Sequence, residues 1–218
     1  MSCCGHCRDA GDFFSDRTAK RDLRHYLKKG PKKSTALLLN AIRSAGVHQA
    51  SLLDVGSGVG VIQLELFKEG LQHAVNVDAS ASYQETARME TEKRGLSERA
   101  DYHYGDAVEL ASKLPDAEIV TLDRVICCYP DPEKLIQATA SKSKYLYGVV
   151  YPRERVITGM IARLGNLWFR LRGSEFRTYL FPSGYIDSLI KKQGFRSHKK
   201  QKTLLWHVVT YTRNGSLT

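Results

Sequence analysis

Across its 218 residues the chain has no apolar run near the roughly 20 residues that a membrane-spanning helix needs, which removes a transmembrane reading. Its cysteines are too few and too badly spaced for a disulfide framework. Cys3, Cys4, Cys7, Cys127 and Cys128 form an odd set with two adjacent pairs, and they read as thiols of a reducing compartment. The stretch MSCCGHCRDAGDFF contains no basic region followed by an apolar one, so no secretory leader is expected and the cytoplasm is the expected location. Repeats and low-complexity tracts are lacking too, which excludes solenoid and fibrous architectures.

Acidic residues are scarce outside the middle of the chain. Residues 51–150 hold ten Lys and Arg against sixteen Asp and Glu, so the overall net charge of +10 resides in the flanks. Residues 1–35 carry nine basic against four acidic side chains, 153–172 five against one, and 191–213 seven against none. Such asymmetry points to an anionic partner or surface, or to plainly solvated helices.

What the sequence does contain is an alternation of periods. Two N-terminal helices are expected, around Asp16 to Lys29 and from Ser34 to Ala45, separated by KKGPKK at 28–33. Then SLLDV (51–55), HAVNVD (73–78), DYHYGD (101–106), AEIVTLDRVI (117–126) and SKYLYGVVYP (143–152) read as strands with helical segments between them. That order means a parallel sheet with crossover helices. A helix over 183–193, then FRSHKK and TLLWHVVTYTR, reads as a terminal antiparallel hairpin. The expectation is an α/β, Rossmann-like, seven-stranded, mostly parallel sheet with helices on both faces. It divides into an N-terminal helical segment, 1–45, covering a substrate, and a domain, 46–218, with a helical insertion at 153–182.

Three glycines mark the first strand-to-helix turn. Glycine tolerates positive φ, lets a ligand approach the backbone, and leaves the unpaired N–H groups of the following helix pointing at it. The spacing Asp54-x-Gly56-x-Gly58-x-Gly60 is not the G-x-G-x-x-G of dinucleotide sites, and no Gly-Lys-Ser/Thr follows as in a P-loop. Asp78 closes the second strand, where a carboxylate can accept from both hydroxyls of a ribose. Asp106, in GDA at 105–107, closes the third, where it can take an exocyclic amine.

On these residues the sequence resembles the class I S-adenosylmethionine-dependent methyltransferases, over roughly 50–212. The resemblance implies S-adenosyl-L-methionine as cofactor, with Asp54, Gly56, Gly58, Gly60, Asp78, Ala79, Asp106, Ala107 and Asp123 around it. Locally, RVICCYPD resembles the V-L-I-H-Y-P segment of magnesium-protoporphyrin O-methyltransferases, with Val125, Tyr129 and Pro130 in step. EFRTYLF resembles their T-R-A-Y-L-H segment through Arg177, Tyr179 and Leu180. Cys128 stands where that family has histidine, and Arg124 where it has aspartate.

The resemblance implies methylation of oxygen on a small or medium-sized, apolar or anionic metabolite, with Tyr129, His25, Tyr26 and Arg177 as the residues expected to place the acceptor. Two other readings stand beside it: an RNA-binding methyltransferase using the basic flanks, and a non-catalytic module that only binds S-adenosylmethionine. No metal is expected, since Cys4-x-x-Cys7 with His6 is a single knuckle where zinc sites use two. Segment 153–172 carries Val156, Met160, Leu164, Leu167, Trp168 and Leu171 on one helical face among arginines. It reads as a cover over an apolar substrate, a helix for peripheral membrane contact, or a core helix. The acceptor and the oligomeric state are open at this level.

Overall fold

The computed structural model describes Asp9, residues 15–45 and residues 49–213. Cys3, Cys4, His6 and Cys7 lie outside the described residues. Helices α1 (Asp16–Lys29) and α2 (Lys33–Ser44) meet where Gly30, at φ 74°, closes α1 by donating its amide to the Tyr26 carbonyl at 2.8 Å. Then β1 (Ser51–Val55), α3 (Val61–Phe67), β2 (His73–Asp78), α4 (Ala81–Lys93), β3 (Ala100–Tyr104), α5 (Ala107–Leu110), β4 (Ala117–Asp123), α6 (Pro132–Ala140) and β5 (Ser143–Pro152) follow in strict alternation. The chain continues through α7 (Val156–Leu171), α8 (Ser183–Lys192), β6 (Arg196–Lys202) and β7 (Trp206–Thr212).

These strands form one seven-stranded sheet in the order β3-β2-β1-β4-β5-β7-β6. The first five run parallel, and β7 is antiparallel to both β5 and β6. The expected seven-stranded Rossmann-like sheet with its closing hairpin is therefore present. The alternation of side chains along each strand separates two cores. Leu53, Val55, Val120 and Leu122 point to the face covered by α6 and α8, where Leu135, Ile136, Ile186 and Ile190 pack. Leu52, Ile119, Leu146 and Val150 point to the other, against Leu38, Leu39 and Ile42 of α2 and Ile62 and Leu66 of α3. Helix α2 lies so close to β5 that a Cβ on Gly148 would stand 2.8 Å from Leu38 Cδ1.

One strand ends earlier than its apolar run suggests. The sequence reads 117–126 as a strand, but β4 stops at Asp123 because Arg124 takes a left-handed backbone, φ 66°. A single 3-10 turn over Ile126–Cys128 follows, so the cysteine pair sits in a turn beyond the strand rather than at its end. The edge strand β6 carries Arg196, Lys199, Lys200 and Lys202, charges that discourage pairing with another sheet.

Candidate active site

The strand order reverses between β1 and β4, and in open α/β sheets a crevice opens beyond the carboxyl ends of the strands at such a point. Here it is a cavity of about 630 Å³, floored by the ends of β1, β2 and β4 and roofed by α1 through Thr18, Asp22, His25 and Tyr26.

The glycine turn shapes its floor. Gly56, Gly58 and Gly60 sit at φ 65°, 55° and 75°, a region that costs other residues about 1–2 kcal/mol. A Cβ on Gly56 would fall 2.3 Å from Val125 Cγ2, and one on Gly60 would fall 2.7 Å from Gln63 Nε2. At Gly58 a Cβ would meet only the Tyr83 ring, in ordinary contact at 3.8 Å, so this position is sterically less crowded than the other two. Gly56 and Gly58 line the cavity, whereas Gly60 lies behind them and starts α3.

Three carboxylates converge on this cavity, each held by a different element. Asp54, on β1, is 1% exposed, and its Oδ1 accepts from Thr121 Oγ1 at 2.6 Å. Its Oδ2 has no hydrogen-bond partner among the described residues. Burial, reinforced by the nearby Asp123 and Asp78, pushes its carboxyl up to about 8, with the Thr121 bond pulling the other way. Asp78, at the end of β2, accepts from the Gly58 amide through Oδ2 and from the Ser80 amide through Oδ1, both at 2.8 Å. Burial raises it to about 6 against the pull of those two amides. Asp106 caps α5 by accepting from the Val108 amide at 2.8 Å, and it also accepts from the Tyr129 hydroxyl at 3.0 Å. Ala79 and Ala107, the residues after two of these carboxylates, line the same cavity.

At the other end stands Asp123. Its Oδ2 accepts from Thr35 Oγ1 of α2 at 2.5 Å, and its Oδ1 accepts from Arg124 Nε at 3.0 Å. The Arg124 guanidinium lies 5.9 Å from the Trp206 ring centroid. Lys32 reaches the same wall, where burial and the nearby Arg124 charge lower its pKa. Phe169, Phe176 and Cys128 add an apolar patch, with the two phenyl rings edge to face at 5.0 Å. The sulfurs of Cys127 and Cys128 are 3.7 Å apart, and this contact, together with burial, raises the Cys127 thiol.

The four acceptor-placing residues expected from sequence separate. His25 and Tyr26 line the cavity from α1, but the Tyr26 hydroxyl donates to Glu65 Oε1 at 2.7 Å. Tyr129 lines it with its hydroxyl on Asp106. Arg177 is not among the lining residues: its Nη1 donates to the carbonyls of Ser174 and Phe176 at 2.6 and 2.7 Å, stiffening its own loop.

Several lining residues were not among the site residues expected from sequence. Thr35, Lys32 and Asp22 stand far in sequence from the groups they meet. Arg124 had a signal, since charge directly after a buried strand ends it at a site-facing turn. Tyr83 had none beyond helical spacing.

The residues present fit an adenosyl amino-acid cofactor. An orphaned, buried Asp54 oxygen suits an ammonium group, Asp78 suits a pair of hydroxyls, and Gly56 and Gly58, which line the cavity without side chains, let a ligand approach the backbone. Residues 53–141 match a family model described as a methyltransferase domain. Ubiquinone biosynthesis O-methyltransferase of Klebsiella pneumoniae (strain 342) is 28% identical over 168 residues, covering 75% of this chain and 65% of that protein. Its counterpart from Photorhabdus laumondii is 28% identical over 156 residues, covering 70% and 61%. The chain thus spans less than two thirds of the length of these relatives. Among solved structures, magnesium protoporphyrin IX methyltransferase from Synechocystis PCC 6803 with bound SAH superposes with a TM-score of 0.72 at 15% identity, covering 94% of this chain and 98% of that one. An O-methyltransferase family protein from Burkholderia thailandensis gives 0.71 at 12% identity, covering 94% and 61%. At these identities the superpositions establish the fold.

Proposed function

We propose that this chain is a class I S-adenosylmethionine-dependent methyltransferase that moves a methyl group from S-adenosyl-L-methionine to an oxygen of a small or medium-sized acceptor that is apolar in its body and anionic at the reacting end. The observation that carries the reading is the convergence of Asp54, Asp78 and Asp106 on one cavity lined by the glycine turn.

Bound there, the cofactor would supply an electrophilic methyl on a positive sulfur. The chain's own residues would do the rest. Asp78 would hold the ribose and keep Gly58 in place through the amide it already accepts from. Asp54 would meet the ammonium, and Asp106 with Tyr129 would flank the base. On the acceptor side, Arg124, paired with Asp123 and beside the Trp206 ring, and Lys32, paired with Asp22, line the cavity together with Phe169 and Phe176. A carboxylate acceptor is already ionised near neutral pH, so it would attack as an oxyanion and need no dedicated base. Methyl transfer then depends on alignment of acceptor, methyl and sulfur, with α1 and the Phe169–Phe176 wall excluding water. The 28% identical relatives are named as O-methyltransferases, and this supports oxygen as the accepting atom.

The test is calorimetry with S-adenosylhomocysteine. Two charge-assisted hydrogen bonds from a ribose are worth about 1.5–3 kcal/mol each, so Asp78→Asn should weaken binding on the order of 100-fold. Affinity unaffected by that change, or no affinity in the wild type, overturns the proposal. Binding without turnover on carboxylate and phenol acceptors would favour a binding module.

A further inference from the structure

Helix α7 is built differently from the helices that cover the sheet. Of its sixteen residues only Thr158 and Phe169 are buried, while Val156 is 81% exposed, Leu164 68% and Leu171 79%. A monomeric protein rarely leaves so many large apolar side chains together in water.

Their order around the axis is informative. At 100° per residue, Val156, Leu167, Met160 and Leu171 follow one another around the helix, and Leu164, Ile157, Trp168 and Ile161 continue the series. Together they make an unbroken apolar arc of about 140°. Arg163 and Arg170 run along one border of the arc, and Arg172 lies on the other, its guanidinium 4.2 Å from the Trp168 ring centroid. Thr158 and Phe169 fall on the opposite side, and Phe169 lines the cavity. Residues 155–173 contain no Asp or Glu. The Arg153 amide donates to the Leu205 carbonyl at 2.9 Å, so Leu204, 67% exposed in the β6–β7 turn, adjoins the start of the helix.

Three occupants compete for such an arc, and charge separates them. A second copy packed helix to helix would set arginine borders against arginine borders with no carboxylate between them. A nucleic acid would meet the arginines and leave the arc in water. An anionic bilayer satisfies both, with the apolar arc entering the acyl boundary and the arginines at the phosphates. We propose that α7 is an interfacial helix that lays the chain on an anionic lipid surface. The proposal stands independently of the methyl-transfer reading. If both hold, the helix lies between the bilayer and the cavity, with its arc in the membrane and Phe169 on its opposite side lining the cavity, close to a phase where an apolar acceptor would be concentrated.

The experiment is flotation of the full chain with phosphatidylcholine vesicles, with and without phosphatidylglycerol, at low and high salt. Expected is at least about tenfold stronger binding to the phosphatidylglycerol vesicles, falling as salt rises. Leu164→Glu with Leu167→Glu should reduce binding at least about tenfold while S-adenosylhomocysteine affinity stays unchanged. Arg163→Ala with Arg170→Ala should weaken binding to the anionic vesicles by about 30-fold, at roughly 1 kcal/mol per charge. If the glutamate variant misfolds, the arginine pair alone decides. Absence of flotation at low salt, binding indifferent to either pair, or a lipid-independent dimer dissolved by the glutamates overturns the proposal.

Discussion

The hydroxyl of Tyr83 on α4 donates to Asp22 on α1 at 2.9 Å, joining the roof of the cavity to its wall across 61 residues of sequence. The Tyr83 ring also stands beside Gly58, and Ala19 of α1 packs with it and Val59. Arg21 and Lys32 flank Asp22 at 3.5 and 3.7 Å, so the carboxylate is held from the roof side as well. Tyr83→Phe deletes the link and keeps the ring. A hydrogen bond to a charged group is worth about 1.5–3 kcal/mol, part of which Arg21 and Lys32 would recover, so cofactor affinity should fall about 5–10-fold. The loss should appear mainly as faster release in stopped-flow displacement. Unchanged release would mean that α1 does not act as a roof.

The carboxyl of Asp54 makes apo stability depend on pH. Its folded value of about 8 lies above the ordinary 3.8, so the folded chain keeps a proton that the unfolded chain has lost. The stability this confers is complete below about pH 4 and is lost as pH rises towards 8; Asp78 adds a smaller loss that ends near 6. Glu65, Glu118, Glu154 and Asp187 are shifted downward, so their contributions are already constant above about pH 5. Between about pH 5.5 and 8.5 apo stability should therefore fall by about 3 kcal/mol, or roughly 6–12 °C in Tm. Asp54→Asn should flatten that slope. S-adenosylhomocysteine should bind more tightly as pH rises through the same range, because its ammonium needs the ionised carboxylate. A Tm that rises over this interval in the wild type contradicts the argument.

Gly56 separates steric demand from backbone demand. Gly56→Ala meets Val125 Cγ2 at 2.3 Å and places an alanine at φ 65°. Adding Val125→Ala removes the collision but not the left-handed backbone, which alone costs about 1 kcal/mol or somewhat more. The single variant should lose about 2–4 kcal/mol of stability and the double variant about half of that, read by urea unfolding. If the double variant is no better than the single one, Val125 does not set the fit of the turn.

What could be read from sequence was whatever the local backbone enforces. The glycines at 56, 58 and 60 needed positive φ, and Asp54 and Asp78 fell at the ends of strands whose apolar runs were visible; Asp106, expected to close the third strand, lies two residues past β3 and caps α5 instead. The Asp22–Tyr83 and Thr35–Asp123 bonds were not legible, because a hydrogen bond between residues 61 or 88 positions apart leaves no periodic trace. For Arg177 the motif match gave no information on the Ser174 and Phe176 carbonyls that its guanidinium binds. For α7 the periodicity was clear but its meaning was not, since an apolar stripe looks alike whether it faces a core or open solvent. The exposure of Val156 and Leu171 removes the core reading.

The two ends of the cavity can be assigned independently. Tyr129 donates to Asp106 at one side, while the orphaned Asp54 oxygen lies at the end of β1. If the base sits by Asp106 and the amino acid by Asp54, adenosine alone should report on the first and not the second. Tyr129→Phe removes a bond to a buried carboxylate and should weaken adenosine and S-adenosylhomocysteine alike, by about 3–10-fold. Asp54→Asn should leave adenosine within about twofold and weaken S-adenosylhomocysteine by tenfold or more, since only the latter has an ammonium to lose. Calorimetry of the two ligands on the two variants gives four affinities. Equal losses for adenosine in both variants would place the nucleoside and the amino acid the other way round, or elsewhere altogether.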